Sequence, residues 1–299
     1  MSSLCVAGVR GCWPTLALTL AVWLPTNPAL AHDTWFAPLP AAGGGAVVLA
    51  LGTGNRFPVQ EFTMTLAQLQ QSGCRAADTA VVPLQRVADT PTALHLRLAQ
   101  SPPASRKDVR AGHSCWAQSV PFDIELPADK VAIYLKEINA SPTVRAAWAD
   151  MQSRGLPWKE RYTKHARIEL APLDSSSAAA APAPLLASGM ALDVLLQSGH
   201  QALRAGDELR AQVLRDGQPL ADLAVELQSD RSPLGLWQRT DAEGRVRFKL
   251  PLAGRWVLRG TDLRSSASEP YTWESRFVTL AFDVAPKDAA ALAVRTAAP

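Results

Sequence analysis

Alternation of apolar and polar residues over the C-terminal third is the feature that most limits how this chain can fold. Val246, Phe248 and Leu250 alternate with basic residues, so an extended segment would have one apolar and one charged face. Asp216-Gly217 is a typical hairpin turn. Similar strand patterns occur at residues 209–213, 224–227, 254–258 and 277–284. Residues 189–285 are therefore predicted to form an immunoglobulin- or transthyretin-like β-sandwich.

The N-terminal part, residues 32–172, is also rich in strand patterns but contains two helical ones. Strands are predicted at 46–51, 80–84, 94–98 and 115–126. The glycines of residues 52–55 predict a turn after the first strand. Residues 128–138 repeat apolar side chains at the helical period, and Ser141-Pro142 predicts the start of a second helix. The fold is therefore predicted to be mainly β, with two sandwich domains and two short helices between strand-rich segments.

The stretch between the two predicted domains has a different composition. Residues 173–188 are mostly Ala, Pro and Ser, which cannot bury a core and are typical of a linker. Residues 286–299 are predicted to be a tail.

The first residues have the pattern of an export signal. The apolar run of residues 13–24 is followed by Ala29 and Ala31, as expected for a signal peptide that is cleaved after Ala31. The run is short for a transmembrane helix, although an uncleaved anchor is the alternative. Residues 1–31 are therefore predicted to be removed, leaving a periplasmic or secreted protein with no membrane span. The 30 basic and 27 acidic residues are too evenly balanced to predict nucleic-acid binding.

Cleavage after Ala31 would make His32 the first residue of the mature protein. A terminal histidine carries a free α-amine and an imidazole, and these two nitrogens suit nickel, copper and zinc. The sequence therefore predicts a candidate metal site at His32. The alternative is that His32 is only the start of an edge strand, with Trp35 packing into the core.

Two cysteines, Cys74 and Cys115, remain after export. In an oxidising compartment they are predicted to form a disulfide. The alternative is that Cys115 is a thiolate metal ligand beside His113.

A polar segment around residues 158–170 is the second candidate site. Arg161, Tyr162 and Lys164 could form a site for an anion or a partner carboxylate. The alternative is a solvated strand face with an arginine–carboxylate pair to the helices. No spacing typical of a catalytic nucleophile and base is present, so an enzyme is not predicted.

Three blocks of sequence, taken in order, carry a resemblance to a known family. They are residues 31–35 (AHDTW), residues 122–135 with 159–164, and residues 216–220 with 240–248 and 252–256. This order resembles the bacterial family called domain of unknown function 4198, often labelled nickel- or cobalt-transport periplasmic component. The resemblance covers His32 to about Val284 and implies a periplasmic or secreted protein that ends in an immunoglobulin-like module. The chain departs from the family's commoner Leu-Glu-Pro continuation, because Ala37 stands where an acid is usual.

The terminal histidine and the resemblance together favour a non-enzymatic metal-handling protein. It would bind nickel, cobalt or copper through His32, with His113 or His165 as further ligands, and assist uptake with a transporter or another envelope protein. The alternative is a non-catalytic envelope module that binds a protein or a glycan. A copper oxidase is conceivable only if folding brings His113, His165 or His200 beside His32.

Overall fold

The computed structural model describes residues 32–40, 47–76, 80–98, 112–172, 189–197, 202–268 and 270–287. The predicted signal peptide, the predicted linker, His200 and the tail from residue 288 lie outside the described residues. Within the described ranges, no helix is long and apolar enough to cross a membrane.

The described residues are mainly β, which confirms the predicted fold class. The first strands are β1 (Asp33–Pro38), β2 (Val48–Gly54), β3 (Phe62–Thr63), β4 (Leu69–Ala76), β5 (Leu84–Asp89), β6 (Leu94–Leu98), β7 (His113–Ser119), β8 (Phe122–Leu126) and β9 (Trp158–Leu170). The later strands are β10 (Leu192–Leu196), β11 (Leu203–Arg204), β12 (Glu208–Arg215), β13 (Gln218–Pro219), β14 (Ala224–Ser229), β15 (Ser232–Arg239), β16 (Arg245–Lys249), β17 (Gly254–Ser265) and β18 (Trp273–Ala285). The helices are α1 (Ala128–Glu137) and α2 (Pro142–Ser153), and Leu66–Gln68 form a short 3-10 turn.

The strands form three sheets in the described part of the chain. The N-terminal sheet has the order β1-β2-β6-β5, with β3 beside β2. The central sheet has the order β15-β14-β17-β18-β9-β7-β4, with β8 beside β9 and β11 beside β18. The C-terminal sheet has the order β10-β12-β13, with β16 beside β12. Strands from both halves of the chain therefore share the central sheet.

The parallel pair β9 and β18 joins the two halves. The pair runs from Glu160 opposite Trp273 to Glu169 opposite Phe282. Neighbouring residues of β18 face different cores, because strand side chains alternate between faces. Ala281 packs towards the N-terminal sheet and Leu280 towards the C-terminal sheet. Burial on both faces explains why the middle of β18, residues 277–282, is almost entirely apolar.

The two helices cover the rest of the face on which the N-terminal sheet lies. They pack on Trp158 and Trp273, whose rings stack with 4.6 Å between centroids. Helix α2 begins as predicted, with Pro142 at its first position and the Ser141 hydroxyl accepting from the Val144 N–H at 3.3 Å. The domain boundaries and the immunoglobulin-like detail stay predictions.

Three predicted segments differ from the structure. Residues 52–54 continue β2 instead of turning. The glycines are needed here for close packing, because a Cβ at Gly52 or Gly54 would lie 2.6 or 2.2 Å from the backbone oxygens of Thr92 and Val59, respectively. The strand predicted at 115–126 is two strands, interrupted before Pro121, which has no N–H to donate. The strand predicted at 80–84 begins only at its last residue, Leu84.

Candidate functional site

His32 lies immediately before β1 and is half-buried. Its imidazole stacks on the ring of Phe62, with 5.2 Å between centroids and 10° between planes. The Nε2 atom is buried and has no hydrogen-bond partner among the described residues. Burial, and then the charge of Lys164, lowers the pKa of the His32 imidazole. The ring is therefore held in one orientation and is neutral at physiological pH, which is the form that binds metals.

Lys164 fixes the backbone of the same residue. Its Nζ donates to the carbonyl oxygen of His32 at 2.8 Å and lies 5.8 Å from the centroid of the Tyr162 ring. Burial lowers the pKa of the Lys164 amine to about 8, although the carboxylate of Asp33 acts in the opposite direction. Lys164 therefore stays mostly charged at neutral pH, and its repulsion of a cation at His32 declines only as the pH rises above about 8.

The carboxylate of Asp33 is paired with Arg259 of β17 and is therefore already engaged within the protein. The Nη1 atom of Arg259 contacts Asp33 Oδ2 at 2.5 Å, and its Nη2 atom contacts Glu226 Oε2 at 2.5 Å. Burial acts to lower the pKa of Arg259, but the two carboxylates outweigh it and raise the pKa overall. The guanidinium also lies 6.0 Å from the ring centroid of Trp237 on β15. A chain of charged contacts thus ties the start of β1 to the far edge of the central sheet.

The rest of the His-Asp-Thr-Trp block is structural. The Thr34 and Thr53 hydroxyls are 2.7 Å apart, and the carbonyl of Thr34 accepts from the Thr279 hydroxyl at 2.6 Å. Trp35 is buried and packs edge-on against Phe57, as expected for a core residue. These contacts fix β1, and with it the position of the residue that precedes it.

The two other proposed histidine ligands lie elsewhere. His165 follows Lys164 on β9, so its side chain points to the opposite face of the sheet, where Nδ1 lies 2.9 Å from the carbonyl oxygen of Phe277. Burial lowers the pKa of His165 to about 4. His113 is buried on β7 opposite Leu170, which is about 16 Å of strand beyond His165. Across the described ranges, no group of three or more His, Cys, Asp or Glu side chains could hold a metal ion.

Comparison with known families gives one match. The model of the family "Domain of unknown function (DUF4198)" matches residues 29–261, which is most of the chain. The chain belongs to the DUF4198 family. The match ends at Thr261, within β17, so β18 at the centre of the largest sheet lies beyond it. A search of curated proteins finds no match to this DUF4198 chain.

The proposed anion-site residues of the DUF4198 chain occupy different environments. Arg161 is exposed and pairs with Asp123 of β8, with 2.8 Å between Nε and Oδ1. The Asp123 carboxylate also accepts from the Tyr271 hydroxyl at 2.8 Å. Tyr162 and Lys164 lie on the other face of β9, and Tyr162 stacks against an aromatic ring of β8. The arginine is therefore in a strand-to-strand ion pair, apart from the other two residues.

The predicted disulfide is confirmed. Cys74 of β4 and Cys115 of β7 are bonded and lie opposite each other in the central sheet, with 4.0 Å between their Cα atoms. Both are completely buried in the core beneath the N-terminal sheet. Cys115 is therefore not available as a thiolate ligand in this state.

Sequence reasoning missed a buried carboxyl group close to this region. Glu160 accepts from the Tyr134 hydroxyl at 3.0 Å and from Trp158 Nε1 at 2.8 Å, and the Ser275 hydroxyl also donates to it. Burial raises the pKa of Glu160, although these three donors act to lower it. The only sequence signal for Glu160 was its place in a strand in which many residues are charged. The same pattern is typical of an exposed strand, so it did not indicate a buried carboxyl group.

Proposed function

We propose that this protein is an exported, non-enzymatic metal-handling protein that binds a divalent transition metal at His32. The observation that carries the proposal is the placement of His32, whose neutral ring is fixed against Phe62 and whose carbonyl is fixed by Lys164. Removal of residues 1–31 would add an α-amine to this ordered imidazole. The amine and Nδ1 of one histidine can close a small chelate ring, and Nε2, which is buried, is not needed for it.

Two nitrogens leave most coordination positions of nickel, cobalt or copper to water or to another molecule. His113 and His165 do not supply the missing ligands, because they lie on other parts of the central sheet. An open site of this kind suits transfer better than storage. We therefore propose that the protein assists metal uptake or homeostasis by passing the ion to a transporter or another envelope protein.

Calorimetric titration of copper, nickel, cobalt and zinc would test the site. The proteins are the chain beginning at His32, the same chain with one Gly added in front, His32→Ala, and His95→Ala as a matched control on β6. The added Gly displaces the amine from the chelate, so it should weaken binding about as much as His32→Ala does. Equal affinity in all four proteins would contradict the proposal.

The alternative function is a non-catalytic envelope module that binds a protein or a glycan. It is favoured by the side chains of Leu234, Leu236 and Trp237, which are 76, 42 and 38% exposed on the edge strand β15. Large apolar side chains grouped on an exposed strand are unusual on a protein that acts alone.

A further inference from the structure

The open side of the C-terminal sandwich is bordered by two sheet edges. Strand β15 is the last strand of the central sheet, and β16 pairs only with β12, both within the described residues. A groove of about 380 Å³ lies between them and is lined by Leu236, Phe248 and Lys249, among others. Free strand edges beside an apolar groove are a common place for an extended peptide to bind.

Only one of these two edges is available to an incoming strand. The side-chain amide of Gln238 donates to the carbonyl of Arg247 at 2.7 Å and accepts from its N–H at 3.3 Å. The backbone of β16 is therefore already bonded at its centre by a group that imitates a peptide. An additional strand would have to pair with β15.

The backbone of β15 is oriented for such pairing. The N–H of Thr240, just beyond the strand, donates to the carbonyl of Leu223 at 3.0 Å, so Thr240 faces β14. Backbone groups of an antiparallel strand alternate in direction, which turns those of Gly235, Trp237 and Arg239 away from β14. The first residues of β15 are less suitable for pairing, because Pro233 has no N–H to donate.

The surface around β15 is both apolar and basic. Leu234 and Leu236 are exposed, and Leu236 lines the groove. Arg247 and Lys249 of β16 form no ion pair with any described residue. The acid opposite Lys249, Glu208, is already paired with Arg210 at 2.8 Å. A ligand with carboxylates between apolar side chains would complement this surface.

We propose that β15 binds an extended segment of a partner protein, in which apolar residues and Asp or Glu lie two positions apart and so share one face. The segment would add as a further strand along Gly235–Arg239, and this face would place apolar side chains on Leu236 and carboxylates near Arg247 and Lys249. This inference rests on the interaction-module alternative and is independent of metal binding at His32. The metal titration and the peptide experiment can therefore fail separately.

Selection from a library of short randomised peptides displayed on phage, against the full chain, is the first test. The enriched peptides should carry apolar residues and Asp or Glu at positions two apart, so that both face the groove. A selected peptide, labelled with a fluorophore, is then measured by anisotropy against the wild type, Lys249→Glu, Leu236→Ser, and Arg154→Glu as a matched control on α2. Each of the first two variants should weaken binding about tenfold, and the control should leave it unchanged.

The same peptide with N-methyl groups at alternate residues tests the backbone pairing without altering the protein. Methylation of the residues that pair with β15 should abolish binding, whereas methylation of the others should be tolerated. Enrichment of basic peptides, enrichment of none, or equal binding by both methylated forms would overturn the proposal. Sedimentation analysis adds one more outcome: a dimer that Leu236→Asp converts to a monomer would show that β15 pairs with a second copy instead.

Discussion

The burial of the Lys164 amine beside His32 can be measured, because it should make the stability of the protein depend on pH. The perturbation is Lys164→Met, which keeps most of the apolar side chain and removes the amine. The quantity compared is the difference in free energy of unfolding between wild type and variant at several pH values. Because the variant lacks only this amine, the change of the difference with pH reports how the titration of Lys164 differs between the folded and unfolded states.

The expected change follows from the pKa of the amine in the two states. Its pKa is 10.5 when exposed and about 8 in the folded protein. Because the unfolded chain binds the proton more tightly, wild-type stability should rise relative to the variant from pH 8 to pH 10.5. At about 1.4 kcal/mol for each pKa unit, the rise has an upper limit of about 3.5 kcal/mol. Lys164 keeps some exposure to solvent, so we expect about 2 kcal/mol.

Urea denaturation followed by tryptophan fluorescence provides the measurement, at pH values below, between and above these two pKa values. Lys136→Met, an exposed lysine on α1, is the control and should show no trend with pH. A wild-type minus Lys164→Met difference that stays constant from pH 8 to pH 10.5 would show that the amine is solvated in the folded protein. The placement of Lys164 against His32 would then be wrong.

Other expected outcomes concern the disulfide, the charged chain and export. Replacing Cys74 and Cys115 by Ala should lower stability by about 4 kcal/mol in the chain-entropy model, measured by denaturant unfolding; a loss below about 1 kcal/mol would contradict that account. Arg259→Met should cost about 3–5 kcal/mol because it leaves two nearly buried carboxylates unpaired, whereas the exposed Arg255→Met should cost less than about 1 kcal/mol. Intact-mass analysis of exported protein should find His32 as the first residue, and any other start would remove the proposed amine ligand.

Local sequence patterns predicted the parts of the fold that local physics determines. The strand at 94–98 and the start of α2 at Pro142 match the structure, because alternation and helix capping act within a few residues. The Cys74–Cys115 bond was predicted from compartment and number alone. The turn predicted from the glycines at 52–54 was wrong, because a glycine needed for close packing has the same sequence signal as one needed for a turn.

The candidate site was predicted only in part, because its contacts join distant segments. His32 was identified from the signal pattern, but Lys164, which holds its carbonyl, is separated from it by 132 residues. Likewise, nothing local indicates that Arg259 would anchor Asp33. Arg161 and Lys164 lie on opposite faces of β9. Strand periodicity predicts this arrangement once β9 is known to include both residues.

The parallel pairing of β9 with β18 has a consequence for the order in which the protein can assemble. During synthesis β9 emerges long before β18, which is the last strand of the described chain. Until then one side of β9 has unpaired backbone groups, and strands in that condition are prone to join other chains. The N-terminal half therefore cannot complete its own sheet while the chain is still being made. Truncation before Trp273 should remove β18 and leave β9 and β17 without their shared neighbour in the central sheet. A chaperone that protects this protein would therefore have to stay bound until β18 has been synthesised.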